Sequence, residues 1–239
     1  MIAAVITAAG KGTRLNSNIS KQFLHLYDKP ILAYTIESFH KSKNVSEIFV
    51  TIAKEYLDFC KEEIIKKYRF TKVKKVVIGG ETRQDSVYNA LKSITENCLI
   101  VSVHDGVRPL ITAEEIDYFI NALVNLNKND PEVKGVITAA PAYETVKKID
   151  NNSIIDSTIT RNLVCLAQTP QTFFYKDLLE AYKRADEENF TGTDDASLVE
   201  RIGWKVKVIM GKHENIKITT PLDLFLAELI MERDGKNKK

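Results

Sequence analysis

The chain has 239 residues, of which 34 are basic and 32 acidic, and the formal net charge of +2 excludes a protein that holds nucleic acid through a large basic face. That length suits one α/β domain, 1–239, able to bury a core without disulfides or metal staples. Cys60, Cys98 and Cys165 are odd in number and form no ligand spacing with His25, His40, His104 and His213, so a reducing compartment and no structural zinc are expected.

The first element is the apolar run Ile2 to Ala8, a strand, too short for a secretory leader. No later run approaches the roughly 20 apolar residues of a membrane span, so we expect a cytoplasmic protein with no membrane partner. Directly after it come Ala8, Ala9, Gly10, Lys11, Gly12, Thr13 and Arg14, then Lys21 and Gln22. Glycines with small neighbours let backbone N–H groups approach an anion, and Arg14 and Lys21 can close on it from two sides, which points to a nucleoside triphosphate. A dinucleotide fingerprint would need a glycine where Leu15 stands. Lys11 lies between two glycines rather than after the second, so the loop is not a P-loop either.

Further strands are expected at Glu47 to Ala53, Val73 to Ile78, Leu99 to His104, Gly135 to Ala140 and Val206 to Met210. Helix-period segments fall at Ile31 to Lys41, Glu55 to Lys67, Gln84 to Ser93, Ala113 to Leu126, Lys176 to Asn189, Asp194 to Ile202 and Pro221 to Arg233. Such alternation predicts a three-layer, Rossmann-like α/β fold around a mostly parallel sheet. Thr220, Pro221 and Asp223 form a helix start with a capping-box-like arrangement. Residues 141–160 break the rhythm with two β segments around Asp150, Asn151 and Asn152, a protruding hairpin arm that needs another surface, such as a second subunit, to be stable.

In an open parallel sheet, ligands bind beyond the carboxyl ends of the strands. Polar residues gather there: Gly79, Gly80, Glu81, Thr82, Arg83, Asp85 and Ser86 after one strand, and His104, Asp105, Gly106, Val107, Arg108 and Pro109 after the next. His104, ending an apolar strand, reads as a satisfied core histidine rather than a base, and Asp194 and Asp195, following Thr193 at a helix start, as capping residues. Trp204 reads as core and Cys165 as inert.

With Arg161, Gln168 to Gln171, Thr193 to Ala196 and Asn215 to Pro221 added, the chain from Ile2 to about Leu229 closely resembles the 2-C-methyl-D-erythritol 4-phosphate cytidylyltransferases of the non-mevalonate isoprenoid pathway, within the glycosyltransferase-A-like nucleotidyltransferases. The resemblance implies an enzyme that transfers CMP from CTP to methylerythritol phosphate. It also implies that Ala8, Ala9, Gly10, Gly12, Gly80, Glu81, Ser86 and Gly106 bind CTP, and that Arg14, Lys21, Arg161 and Lys217 are catalytic. Asp105 matches the magnesium-binding position, and Arg108, Thr145 and Thr169 match substrate-side positions. In the family the arm is exchanged across a homodimer, so Thr145 and Arg108 would serve the neighbouring subunit's site. Departures are few: Gly106 and Val107 replace a small alanine-containing pair, and Glu144 replaces the Asp usual before Thr145.

Ribitol 5-phosphate cytidylyltransferases, a sister group, share the opening loop, the Asp105 region and Gln168 to Gln171. Arg83 to Val87, Arg161 to Leu163 and Thr193 to Ala196 look like the methylerythritol phosphate enzymes instead. A nucleotide-binding regulator that had lost its chemistry would lack a triphosphate cation or the metal carboxylate, and none is missing here.

Overall fold

The computed structural model describes residues 1–10 and 20–235. A seven-stranded sheet forms the middle layer, in the order β11-β7-β10-β6-β1-β4-β5. Its strands are β1 (Ile2–Ala8), β4 (Glu47–Ile52), β5 (Val73–Ile78), β6 (Ile100–Asp105), β7 (Val133–Pro141), β10 (Cys165–Phe174) and β11 (Lys205–Met210). All run parallel except β10, which is antiparallel to both β6 and β7. β1 is central and apolar along nearly its whole length because both of its faces are covered.

One face packs against α1 (Ile31–Lys41), α2 (Leu57–Phe59, continued by a π-helix over Cys60–Lys66) and α4 (Ala113–Asn129). Phe39, Cys60, Ile64, Ile116 and Leu123 seal that layer. The other face carries α3 (Arg83–Leu91), α5 (Tyr175–Glu187) and α6 (Asp195–Arg201), with Val87, Leu178, Tyr182 and Leu198 in the core. Trp204 packs partly buried against this second layer, just before β11. A smaller cluster sets α7 (Pro221–Arg233) against Leu26, Ile31 and Val107, where β2 (His25–Leu26) and β3 (Lys29–Pro30) pair as a short hairpin.

Helix starts follow local chemistry. Thr82, Thr112, Asp194 and Thr220 are N-caps with complete capping boxes, and Pro221 sits in the first turn of α7. The predicted elements hold with shifts of at most three residues at their ends, except that the helix expected over Glu55 to Lys67 is α-helical only at Leu57–Phe59, between a 3-10 turn and the π-helix; β10 and the β2–β3 hairpin are additional to them. The arm is a hairpin of β8 (Lys147–Ile149) and β9 (Ile155–Thr158). Its turn is tied by Asp150 Oδ1, which accepts from Asn152 N–H at 2.9 Å and Ile154 N–H at 2.9 Å.

Candidate active site

Two cavities open side by side at the carboxyl ends of β1, β5 and β6, and both are lined by Arg83, Asp105 and Lys217. The first is further lined by Ala8, Ala9, Gly10, Lys21, Gly80, Glu81 and Ser86. The second adds Arg108, Thr169 and Thr193. Of the residues matched to CTP, Ala8, Ala9, Gly10, Gly80, Glu81 and Ser86 fall on one side, and of the substrate-side residues Arg108 and Thr169 fall on the other, with the metal-position carboxylate and one lysine at the junction. Gly12 and Arg14 lie outside the described residues.

Backbone packing shapes the first cavity. Gln22, itself buried, donates to the Ala8 carbonyl at 2.9 Å and anchors the 3-10 turn Lys21–Phe23 beside the end of β1, which brings Lys21 to the cavity wall. A Cβ on Gly10 would meet nothing within 4 Å, so its backbone faces open space where an anion can approach. The need at Gly79 and Gly80 is different: a Cβ there would collide with Ala9 and with Asp85 respectively. Ser86 Oγ accepts from Gly80 N–H at 3.0 Å and donates to the Thr82 carbonyl at 2.9 Å, so its hydroxyl locks this turn. Gly106 does not line the cavities; a Cβ there would press on the Thr7 carbonyl at 2.9 Å.

Asp105 is the electrostatic centre. Its Oδ1 receives Arg83 Nε at 3.3 Å, and its Oδ2 receives Lys217 Nζ at 3.0 Å and Arg108 Nε at 3.3 Å. Burial pushes this carboxyl up, but Arg83, Lys217 and Arg108 outweigh burial and hold it well below the usual carboxylate range. Burial also pulls Arg108 down, opposed by Asp105. Arg108 Nη1 donates to the Asn215 carbonyl at 2.7 Å, so its guanidinium is buried in its own chain's cleft.

A directed chain of hydrogen bonds lies beneath. The His104 ring contacts the Arg108 carbonyl through Nε2 at 3.2 Å and Thr169 Oγ1 through Nδ1 at 3.0 Å. A carbonyl can only accept, so Nε2 carries the proton and Nδ1 accepts from the Thr169 hydroxyl. That hydroxyl in turn accepts the Asp105 N–H at 3.0 Å. Burial pushes His104 down to about 4, as suits a neutral core histidine. Thr169 therefore lines the substrate-side cavity while its hydroxyl is occupied in holding Asp105.

Thr145 and Arg161 are not brought to their own chain's cavities. Both are exposed in or beside the arm, and Arg161 Nη1 donates to the Tyr143 carbonyl at 2.7 Å. Asp194 caps α6 as expected, and its Oδ2 also accepts from Gln171 Nε2 at 2.7 Å. Asp195 does not cap: it is fully buried and receives the guanidinium fork of Arg83, with Nη1 at 3.1 Å and Nη2 at 2.7 Å. The sequence puts Arg83 among the polar residues at the strand ends and in the segment that resembles the methylerythritol phosphate enzymes, without giving it a role; its charge, two residues past Glu81 at a strand end, is the available signal for a cleft residue.

A cleft at the carboxyl edge of a mostly parallel sheet, with Lys21, Arg83, Arg108 and Lys217 gathered around Asp105, defines a phosphate-handling enzyme of the nucleotidyltransferase class. The family model of IspD, 2-C-methyl-D-erythritol 4-phosphate cytidylyltransferase, matches residues 2–233. A 2-C-methyl-D-erythritol 4-phosphate cytidylyltransferase of Clostridioides difficile is 44% identical over 238 residues, covering 100% of this chain and 97% of that protein. A solved 4-diphosphocytidyl-2C-methyl-D-erythritol synthase from Anaerococcus prevotii superposes with a TM-score of 0.83 at 35% identity, covering 97% of this chain and 96% of that one. The Francisella tularensis cytidylyltransferase gives 0.77 at 34% identity, over 95% of this chain and 98% of that one. The chain belongs to the 2-C-methyl-D-erythritol 4-phosphate cytidylyltransferase family.

Proposed function

We propose that the double cavity is where this enzyme joins CTP to 2-C-methyl-D-erythritol 4-phosphate, giving 4-diphosphocytidyl-2-C-methyl-D-erythritol and pyrophosphate. The observation that carries the assignment is that Arg83, Asp105 and Lys217 belong to both halves of the cleft. In line with that geometry, a phosphate monoester oxygen of the acceptor attacks the α-phosphorus of CTP, the bond from α-phosphorus to the bridging oxygen breaks, and pyrophosphate leaves with the electron pair. No side-chain nucleophile is required. Lys21, on the first cavity, and Lys217, at the junction, neutralise charge on the triphosphate and on the departing pyrophosphate, with Arg14 from the opening loop added by the resemblance.

A divalent cation at this site would be held through Asp105 and the phosphates of the nucleotide. Among the described residues no group of three or more His, Cys, Asp and Glu side chains could cage a metal. Asp105 offers a single hard oxygen ligand beside a phosphate-binding cavity, which is how magnesium is held when nucleotide phosphates and water supply the other ligands. Such an ion, when bound, offsets charge on the phosphate oxygens.

The arm supports a homodimer. Ile149, Ile154 and Ile155 are exposed on a hairpin with no covered face in its own chain, and Leu163, in the turn that follows it, is 84% exposed. A partner subunit seated there buries them and carries Thr145 to a cleft it does not reach at home. No helix among the described residues is long and apolar enough to cross a membrane. With the balanced charge, that favours a cytoplasmic enzyme without a nucleic-acid partner. Pyrophosphate release with CTP, magnesium and each acceptor separately tests the assignment: methylerythritol phosphate is turned over, and faster turnover of ribitol 5-phosphate would overturn it.

A further inference from the structure

Tyr182 and Asp195 are both fully buried, on α5 and at the start of α6, and neither lines the cleft. A buried carboxylate without a counter-charge is unfavourable, and this one is completely engaged. Asp195 Oδ1 accepts from Arg83 Nη1 at 3.1 Å and from the Tyr182 hydroxyl, while Oδ2 accepts from Arg83 Nη2 at 2.7 Å. The guanidinium fork is thus fixed from behind by a bidentate pair, leaving Nε to meet Asp105 Oδ1 at 3.3 Å. Gln171 holds the same helix start, accepting the Ala196 N–H at 3.0 Å and donating to Asp194 at 2.7 Å. The strut therefore runs from the second helical layer through α3 to the carboxyl end of β6.

From this geometry we infer that Asp195 and Tyr182 are positioning residues for cytidylyl transfer, holding Arg83 so that one rigid cation faces both cavities and fixes Asp105 at their junction. The inference rests on the assignment of the cleft as the transfer site. Arginine is needed at this place because a lysine is a point charge and cannot bind Asp195 in a fork while also meeting Asp105. The asymmetry of the contacts favours positioning over charge balance alone: Asp195 takes one N–H from each terminal nitrogen in a fork, and the cleft carboxylate meets only the Nε–H.

The test is a double-mutant cycle on turnover, with the urea midpoint of every variant measured beside it. Tyr182→Phe keeps the ring packing and removes only the hydroxyl; we expect kcat to fall about tenfold. Asp195→Asn keeps the shape and removes the charge, with a loss of about 10- to 100-fold. In the Arg83→Lys background, Tyr182→Phe is expected to add less than about twofold, because its effect passes through the guanidinium that is already gone. The affinity for CTP without added metal, read by calorimetry, should weaken in Arg83→Lys and Asp195→Asn together. Equal losses from Tyr182→Phe in both backgrounds, or a lowered urea midpoint with unchanged kcat, would overturn the inference. If Asp195→Asn does not fold, the Tyr182→Phe cycle alone decides. Failure of the cleft assignment is distinguishable, since Asp105→Asn and Arg83→Lys would then both retain near-normal turnover.

Discussion

At the scale of the residue, His104 shows how a buried group without a part in the chemistry still shapes the site. It stays neutral in the fold because burial lowers it from 6.5 to about 4, and the unfolded chain regains the ordinary value. Between those two values the unfolded state binds more protons, so the stability this histidine allows is full above about pH 6.5 and is lost as pH falls toward 4. Unfolding in urea at pH 7 and pH 5 should show the wild type losing about 2 kcal/mol more than His104→Gln. An equal loss in both proteins would refute the buried neutral ring. Under the proposed function, Lys217 belongs to the chemistry instead. Removing one preorganised cation of this kind costs about 3 kcal/mol, or about two orders of magnitude in rate, so Lys217→Ala should lower kcat that far with its folding transition unchanged.

At the scale of the element, the parallel strands and most helices were legible because period and caps agree. Thr220, Pro221 and Asp223 specify the start of α7 locally, and the structure builds that cap. β10 was not legible. Gln168, Thr169, Pro170 and Gln171 interrupt its apolar pattern, and proline argues against a central strand. The register shift between Ala167 and Gln171 accommodates them: the Thr169 hydroxyl accepts from the Asp105 N–H at the end of β6, Gln171 donates to Asp194, and Gln168 accepts from Asn215. Long-range partners of this sort leave no local pattern, which is also why the role of Arg83 and Asp195, 112 positions apart, could not be read in advance. Glycine carries a sharper expectation at the β5–α3 turn. Gly80→Ala sets a Cβ against Asp85, so this variant should lose about 1–3 kcal/mol in urea unfolding and weaken CTP binding. A fully stable variant with normal CTP affinity would show that the turn is not rigid.

At the scale of the whole molecule, one sheet edge collects residues from β1, β5, β6 and the loop before α7, and the order of strands rather than any single motif makes the site. On the proposed assignment, glycines and cations after strands point to the nucleotide side, whereas the acceptor side rests on family resemblance alone, because Thr145 and Arg161 sit away from the cleft of their own chain. The arm supplies the reason if two chains meet there. Sedimentation of the wild type should give a dimer, and Leu163→Asp with Ile155→Asp should give a folded monomer with sharply reduced turnover; a monomeric, fully active wild type would refute the exchanged arm. The most direct measurement of the central claim is pyrophosphate release from CTP and 2-C-methyl-D-erythritol 4-phosphate by the wild type and by Asp105→Asn. The cleft assignment predicts rapid release by the first and a loss of at least about a hundredfold in the second, whereas equal release by both would contradict it.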